Sequence, residues 1–221
     1  MTASRHRPPP QLLPDHLVVA APSLERGVDW IANKLGVQPQ PGGKHVTMGT
    51  HNALVRLGPR LYLEIIAIDP DGIAPARPRW FDLDEPRMRA TLAEGPALIH
   101  WVVRSGDLEA DLPRCPEALG VISPMQRGDL AWRMTIPDDG HLPARGLVPT
   151  LIQWLDAARH PAERLPDTGI ELVTLAAEHP DPAPVRAALA ALALSDTLKV
   201  SYGRTPRLAA MLRTPRGTVT L

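Results

Sequence analysis

The sequence predicts an α+β protein built from a duplicated unit with the order strand, helix, strands. Two stretches, 16–37 and 100–121, match at a constant offset of 84 residues and begin with His16-Leu-Val-Val and His100-Trp-Val-Val. The further identities at this offset pair Leu24 with Leu108, Glu25 with Glu109, Leu35 with Leu119, Gly36 with Gly120, and Val37 with Val121. A fixed offset without a gap, across a strand-like run, a helical run and a terminal glycine, indicates a duplicated structural unit.

The first unit is predicted over 14–70. Its apolar run 17–21 is typical of a short buried strand. Ser23 is expected to cap a helix that ends at Gly36, because apolar residues between them recur at helical spacing. Two strands should follow at 52–57 and 61–68, on either side of a Gly-Pro turn, and a short strand between 43 and 48 is left open.

The second unit is predicted over 96–160, after a linker at 71–95 that is rich in Pro, Arg and Asp and carries one short helix near 85–92. The order of the first unit recurs, with a loop at 137–149. The expected elements are a strand at 98–103, a helix at 107–119, and strands near 123–127, 131–136 and 150–154.

The C-terminal residues 167–221 predict a third, partial unit without an opening histidine. A strand at 170–175 and a helix at 184–192, behind a proline start, are followed by strands at 198–202, 207–212 and 217–221. The repeated Thr-Pro-Arg at 205–207 and 214–216 is typical of a turn. Residues 1–13 are predicted to be a flexible lead-in.

Composition limits the class of partner. The 221 residues carry no net charge, with a pI of about 7.1, which removes the electrostatic case for nucleic acid or an anionic membrane. No segment approaches the roughly 18 apolar residues of a membrane span, and the N-terminus lacks a secretory h-region. The single cysteine, Cys115, cannot form an internal disulfide and fits a cytoplasmic setting. We expect a small-molecule partner and leave a homodimer open.

Four polar side chains on predicted strands are candidates for chemistry. His16 and His100 open the two copies, and Glu64 lies within an apolar strand, where a carboxylate is costly to bury unless it is paired or ligates a cation. Gln153 is assigned to the corresponding position in the last strand of the second unit. Two imidazoles, a carboxylate and an amide from four strands can converge on a divalent metal with open coordination positions. Alternatively, each is a hydrogen-bonded structural residue.

Several segments together resemble the vicinal oxygen chelate superfamily, and within it the glyoxalase-like proteins. The segments that carry the resemblance begin at Asp15-His-Leu-Val-Val, Met48-Gly-Thr-His-Asn, Leu61-Tyr-Leu-Glu and Ile99-His-Trp-Val-Val, and they span roughly 14–156. The resemblance implies that paired βαβββ units form a cupped mixed sheet around a divalent metal. It also implies that the metal ligands are His16, Glu64, His100 and Gln153, although glutamate is commoner than glutamine at the last position.

The resemblance implies a metal-dependent enzyme of glyoxalase type, a lyase or isomerase, that acts on a small oxygenated molecule. The metal (Zn, Ni, Mn or Fe) would act as a Lewis acid, and Glu64 would be the general base. His51, Asn52 and Tyr62 are candidates for substrate binding at the mouth of the cup. Trp101, Trp132 and Trp154 either line the pocket or belong to the core.

Two other functions remain open on the same fold. One is a metal-free protein that binds or sequesters a small molecule, with the histidines and Glu64 hydrogen-bonded to one another. The other is a scaffold whose cup is filled with side chains. Fold alone does not choose among them, because one fold supports many functions.

Overall fold

The computed structural model describes residues 11–156 and 160–221. Twelve strands and four α-helices are found in these ranges. The strands are β1 (Leu13–Ala20), β2 (Gln40–His45), β3 (Thr50–Gly58), β4 (Leu61–Ile68), β5 (Ala97–Arg104), β6 (Val121–Arg127), β7 (Leu130–Ile136), β8 (Thr150–Trp154), β9 (Glu171–His179), β10 (Leu198–Tyr202), β11 (Arg207–Thr214) and β12 (Gly217–Thr220). The helices are α1 (Leu24–Leu35), α2 (Pro86–Glu94), α3 (Leu108–Asp111) and α4 (Pro182–Ala191).

The duplicated units form one eight-stranded sheet, which confirms the predicted fold class. Its strand order is β2-β3-β4-β1-β5-β8-β7-β6. In each unit the first strand pairs parallel with the last, β1 with β4 and β5 with β8, and the two units meet through antiparallel β1 and β5. The sheet curls until its edge strands β2 and β6 approach each other, so that one face becomes the inside of a cup.

Helix α1 begins and ends where the sequence predicts. The Ser23 side chain accepts a hydrogen bond from the Arg26 amide, and Gly36 ends the helix with a φ of 72°. Gly27 lets the helix lie close to β4, because a Cβ built there would be 2.5 Å from Ile65. This packing covers the outer face of the first unit.

The second unit has a much shorter helix than the sequence predicts. Helix α3 ends at Asp111, and a single 3₁₀ turn follows at Leu112–Arg114. Pro113 and Pro116 account for the difference, since proline lacks the amide hydrogen that an α-helix interior needs. The duplication is therefore stronger in the strands than in the helices.

The C-terminal unit forms a separate four-stranded sheet with the order β10-β9-β11-β12. Its elements follow the expected strand-helix-three-strand order. The pairing differs from that of the cup, because β9 lies parallel to the strand directly after the helix instead of the last strand. This sheet packs through its apolar residues against the outer face of the large sheet.

Two apolar clusters lie on opposite sides of the large sheet. The outer cluster joins the sheet to α1 and the C-terminal unit, and it includes Trp101. The inner cluster fills the cup and includes Trp80 and Phe81 from the segment between the two units. Within the described ranges, no helix has the length and apolar character needed to span a membrane.

Candidate functional site in the cup

Polar and aromatic side chains line a small cavity inside the cup. The lining residues are His16, His45, Asn52, Tyr62, Glu64, Trp80, Phe81, Arg127, Trp132, Met134, Ile152 and Trp154. The free volume is about 20 Å³, and a water molecule needs roughly 10–15 Å³ by the same measure. The cup therefore has room for about one water in this conformation.

Glu64 is the carboxylate of the cavity and lies between two histidines. Its Oε2 is 3.7 Å from His16 Nε2, and its Oε1 is 4.0 Å from His45 Nε2. Both distances exceed a hydrogen bond. Its Oε1 instead accepts a 2.5 Å hydrogen bond from the Asn52 amide. The carboxylate is 5% exposed, so it is held in a low-dielectric site by a neutral donor.

Asp15 supports His16 from behind the cavity. The His16 Nδ1 donates to Asp15 Oδ1 at 2.8 Å, so that Nε2 points toward Glu64. The other oxygen, Oδ2, accepts from His160 at 3.0 Å and from the Trp154 indole at 2.9 Å. Burial alone would raise the pKa of the Asp15 carboxyl, but the hydrogen bonds with His16 and His160 hold that pKa well below its usual range. Asp15 is thus a buried anion that fixes the tautomer and orientation of His16.

Arg127 reaches the cavity from the far edge of the sheet. Its guanidinium donates to Asn52 Oδ1 at 2.9 Å and lies 3.4 Å from His45 Nε2. Burial lowers the pKa of His45 to about 4, so this histidine is neutral at pH 7. Arg127, Asn52 and Glu64 thereby form a chain of hydrogen bonds that crosses from β6 to β4 and closes the cup.

Aromatic rings form the remaining walls. Trp80 and Phe81 stack with ring centroids 5.2 Å apart, and Trp132 lies 5.4 Å from Trp154. The buried Nε1 of Trp80 has no hydrogen-bond partner among the described residues. A buried donor without a partner is costly, so this N–H is available to an acceptor that reaches Trp80.

His100, the counterpart of His16, is enclosed by its own unit. Its Nδ1 donates to the Gly146 carbonyl at 3.0 Å, and its Nε2 accepts from the Thr150 amide at 3.2 Å and lies 3.0 Å from Thr150 Oγ1. Burial lowers the pKa of His100 to about 4. Both ring nitrogens are therefore occupied by local hydrogen bonds.

Strand register corrects the expected place of Gln153. Val18 pairs with Glu64 in the first unit, and Val102, 84 residues later, pairs with Thr150 in the second. Thr150 is therefore the counterpart of Glu64. Gln153 lies on the outer face, where its amide donates to the Gly106 carbonyl at 2.6 Å and its oxygen contacts Arg133. The same alternation places Trp154 inside the cup, where it lines the cavity.

Of the three expected substrate-binding residues, two face the cavity and one does not. Asn52 and Tyr62 line the cavity, and Tyr62 stacks on His16 with ring centroids 4.6 Å apart. His51 is not among the cavity-lining residues, because it alternates with Asn52 along β3.

The predicted donors do not fit a metal ion in this arrangement. Gln153 faces away from the cup, Thr150 replaces the carboxylate of the second unit, and both nitrogens of His100 are engaged. Across the described residues, no three His, Cys, Asp or Glu side chains are grouped so that they could hold a metal. The arrangement instead suits acid–base chemistry or ligand binding through hydrogen bonds.

Sequence reasoning missed Asp15, Arg127 and Trp80 as parts of the site. Asp15 stood directly before a candidate histidine, and its counterpart at the 84-residue offset is Ile99, so the break in the repeat was the available signal. Arg127 and Trp80 carried no such signal, since closure of the sheet and the path of the linker bring them to the cavity.

Comparisons with known proteins agree with this fold. A hypothetical protein from Staphylococcus aureus matches with a TM-score of 0.62 at 11% identity, over 89% of this chain and 88% of that chain. Methylmalonyl-CoA epimerase from Mycobacterium tuberculosis gives a TM-score of 0.41 at 17% identity, over 68% of this chain and 93% of that chain. At 11% identity, the likeness to the Staphylococcus aureus protein concerns the fold alone. No curated protein matches the sequence.

A family model described as a glyoxalase-like domain matches residues 15–193, which cover both units of the cup and reach helix α4 of the C-terminal unit. The paired βαβββ units and their cupped sheet agree with that match. The chain therefore belongs to the glyoxalase-like domain family of the vicinal oxygen chelate superfamily.

Proposed function

We propose that this protein catalyses proton transfer on a small oxygenated molecule bound in the cup, as an isomerase or lyase. The observation that carries the proposal is the 3.7 Å gap between Glu64 Oε2 and His16 Nε2 beside the free space of the cavity. A carboxylate and an imidazole that line the same cavity without a direct hydrogen bond to each other can act as base and acid on a substrate bound beside them.

In this mechanism Glu64 is the general base. It removes a proton from the carbon next to a substrate carbonyl, and Asn52 holds its other oxygen in place. His16 acts as the acid in its imidazolium form: its Nδ1–H stays hydrogen-bonded to Asp15, and the proton on Nε2 passes to the substrate oxygen. Trp80 Nε1 and Arg127 are further donors for the developing oxyanion. The proton on Glu64 then returns to the former carbonyl carbon, and the imidazole of His16 takes the proton of the neighbouring hydroxyl, so both residues are restored and the isomerisation leaves the composition unchanged.

This mechanism departs from the metal-dependent reaction that the resemblance implies. The four expected donors do not converge, and His100 is enclosed by Thr150 and Gly146. No step is therefore assigned to a metal. Substrate entry requires the walls of the cavity to move apart, because a cavity of about 20 Å³ cannot hold an organic molecule.

Hydrogen–deuterium exchange tests the proposal without knowledge of the natural substrate. Dihydroxyacetone is incubated with the protein in D₂O, and loss of its carbon-bound protons is followed by NMR. We expect exchange that falls by about 100-fold or more in Glu64→Gln, and a similar loss in His16→Asn. His51→Gln is the matched control, because His51 lies outside the cup and should keep full activity.

Absence of exchange by the parent protein would contradict the enzymatic proposal and favour the second candidate, a small-molecule binding or sequestering protein. The unpartnered Trp80 Nε1 among aromatic walls favours this alternative. In either case the proposed partner is a small molecule. The single Cys115 cannot form an internal disulfide, which supports a cytoplasmic setting.

A further inference from the structure

A second cavity lies outside the cup, between the large sheet and the C-terminal unit. Its free volume is about 360 Å³, within the range of about 300–1,000 Å³ usual for small-molecule sites. It is bounded by α2, by the start of β5, by the turn at Pro143–Gly146 and by the Thr205-Pro-Arg segment that leads into β11. None of these residues takes part in the proposed proton transfer.

Three arginines surround this cavity: Arg87, Arg145 and Arg207. In the part of the chain that the structure describes, Arg145 and Arg207 have no ion pair with a carboxylate. The only acidic residue in the lining is Asp82, whose Oδ2 accepts from Arg87 at 3.1 Å and whose Oδ1 accepts from His141 at 2.9 Å. The negative charge of Asp82 is thus offset, and the cavity keeps an excess of positive charge.

The floor of the cavity is apolar. Its side chains are Met88, Leu98, Ile99, Leu142 and Leu208. Guanidinium groups at the rim bind carboxylate or phosphate oxygens through paired N–H donors, whereas the floor can only contact hydrocarbon. This combination fits a molecule with an anionic head and an apolar body.

The backbone around the cavity is held in an unusual conformation. Asp82 has a φ of 57° and Arg145 a φ of 60°, and the neighbours Phe81 and Ala144 are also in the left-handed region. Non-glycine residues in this region are strained and tend to occur at functional sites. The Leu142 amide donates to Asp82 Oδ1 at 3.0 Å and ties the two segments together. These bonds keep Arg87 and Arg145 at the rim.

We infer that this cavity is a second ligand site, which binds an oxyanion carried on a short hydrocarbon chain through Arg145 and Arg207. Octanoate is a suitable probe, since its carboxylate can meet the guanidinium groups while its chain covers Ile99 and Leu208. Octyl phosphate tests a phosphate head group in place of the carboxylate on the same hydrocarbon chain length.

Isothermal titration calorimetry of the full chain tests the inference with octanoate, octyl phosphate and the neutral octan-1-ol. We expect at least one of the two anions to bind and octan-1-ol to bind at least tenfold more weakly. Arg145→Gln and Arg207→Gln should each weaken anion binding about tenfold, as expected for loss of one charge-assisted hydrogen bond. Arg213→Gln is the matched control, because it removes one arginine of the same unit from an exposed ion pair with Glu171.

Glu64→Gln distinguishes the two sites, because it changes only the cup and should leave octanoate binding in the second cavity unchanged. Equal binding of octan-1-ol, or equal affinity in the parent and both arginine variants, would overturn the inference, as would the absence of binding by both anions. Because the arginines lie at the surface, melting temperatures close to that of the parent will confirm that the variants are folded.

Discussion

The two units of the cup share strand order and an opening histidine, but the side chain of that histidine has different hydrogen-bond partners in each unit. In the first unit, Asp15 holds His16 so that Nε2 faces Glu64 across the cavity. In the second unit, Ile99 replaces Asp15, Thr150 replaces Glu64, and His100 is bonded within its own unit. The comparison shows that duplication preserved the framework while only one half kept a carboxylate and an imidazole facing a cavity.

Acid should destabilise both halves, and this is the largest effect that we expect. Burial lowers the pKa of His45 and of His100 to about 4 in the folded state, against 6.5 in the unfolded chain. The unfolded chain therefore binds protons first, so stability is full above pH 6.5 and falls as the pH drops toward 4. Each histidine should contribute about 3 kcal/mol to this loss.

Urea denaturation between pH 7 and pH 4 measures this loss. His45→Gln should remove the part of this acid-induced loss of stability that comes from the first unit. His100→Gln should remove the part that comes from the second. A pH dependence that is unchanged in both variants would show that neither histidine is held neutral by burial.

Removal of the buried anion should destabilise the first half more than a conservative change at the counterpart position destabilises the second. Asp15→Ala leaves His16, His160 and the Trp154 indole without their acceptor, and loss of one partner from a buried charged network costs about 3–5 kcal/mol. Ile99→Val at the counterpart position should cost only about 1 kcal/mol. Equal losses in the two variants, measured by urea denaturation at pH 7, would refute the special role of Asp15.

The enclosure of His100 can be tested at Thr150. Thr150→Val keeps the shape of the side chain but removes the hydroxyl that lies 3.0 Å from His100 Nε2. The free energy of unfolding should fall by about 1–2 kcal/mol in Thr150→Val. It should fall less in Thr150→Ser, which keeps the hydroxyl. The deuterium exchange proposed for the cup should persist in both variants, and its loss would mean that His100 takes part in the reaction.

Divalent metal ions should produce the smallest effect. Because the expected donors do not converge, Zn²⁺, Ni²⁺ or Mn²⁺ should leave the melting temperature of the untagged protein within about 1 °C of its value without metal. Elemental analysis of the same protein provides an independent measurement. Stoichiometric metal in the parent, lost in His100→Ala, would reverse this expectation and restore the four-strand donor set.

The framework of the cup could be predicted from the sequence because its signals are local. Ser23 and Gly36 mark the ends of α1, and the constant offset of 84 residues relates His16 to His100. The offset does not extend to the last strands, where Glu64 corresponds to Thr150, 86 residues later. Gln153 lies three residues after Thr150, an odd number, so the alternation of side chains along β8 places it on the opposite face.

The electrostatic partners of the site could not be predicted in this way. Arg127 lies 75 residues from Asn52, to which it donates, and His160 lies 145 residues from Asp15. Such contacts depend on how far the sheet curls and on where the second unit ends. Local patterns of apolar residues and turns carry no information about either.

Phe81 and Asp82 are consecutive residues, yet Phe81 lines the cup and Asp82 lines the second cavity. One peptide bond thus forms part of the wall between the two spaces, and both of its flanking residues have positive φ. A ligand that moved this dipeptide from either side would change the free energy of binding on the other. Thermodynamic linkage requires that change to be equal in both directions, so the affinity of one cavity would report the occupancy of the other.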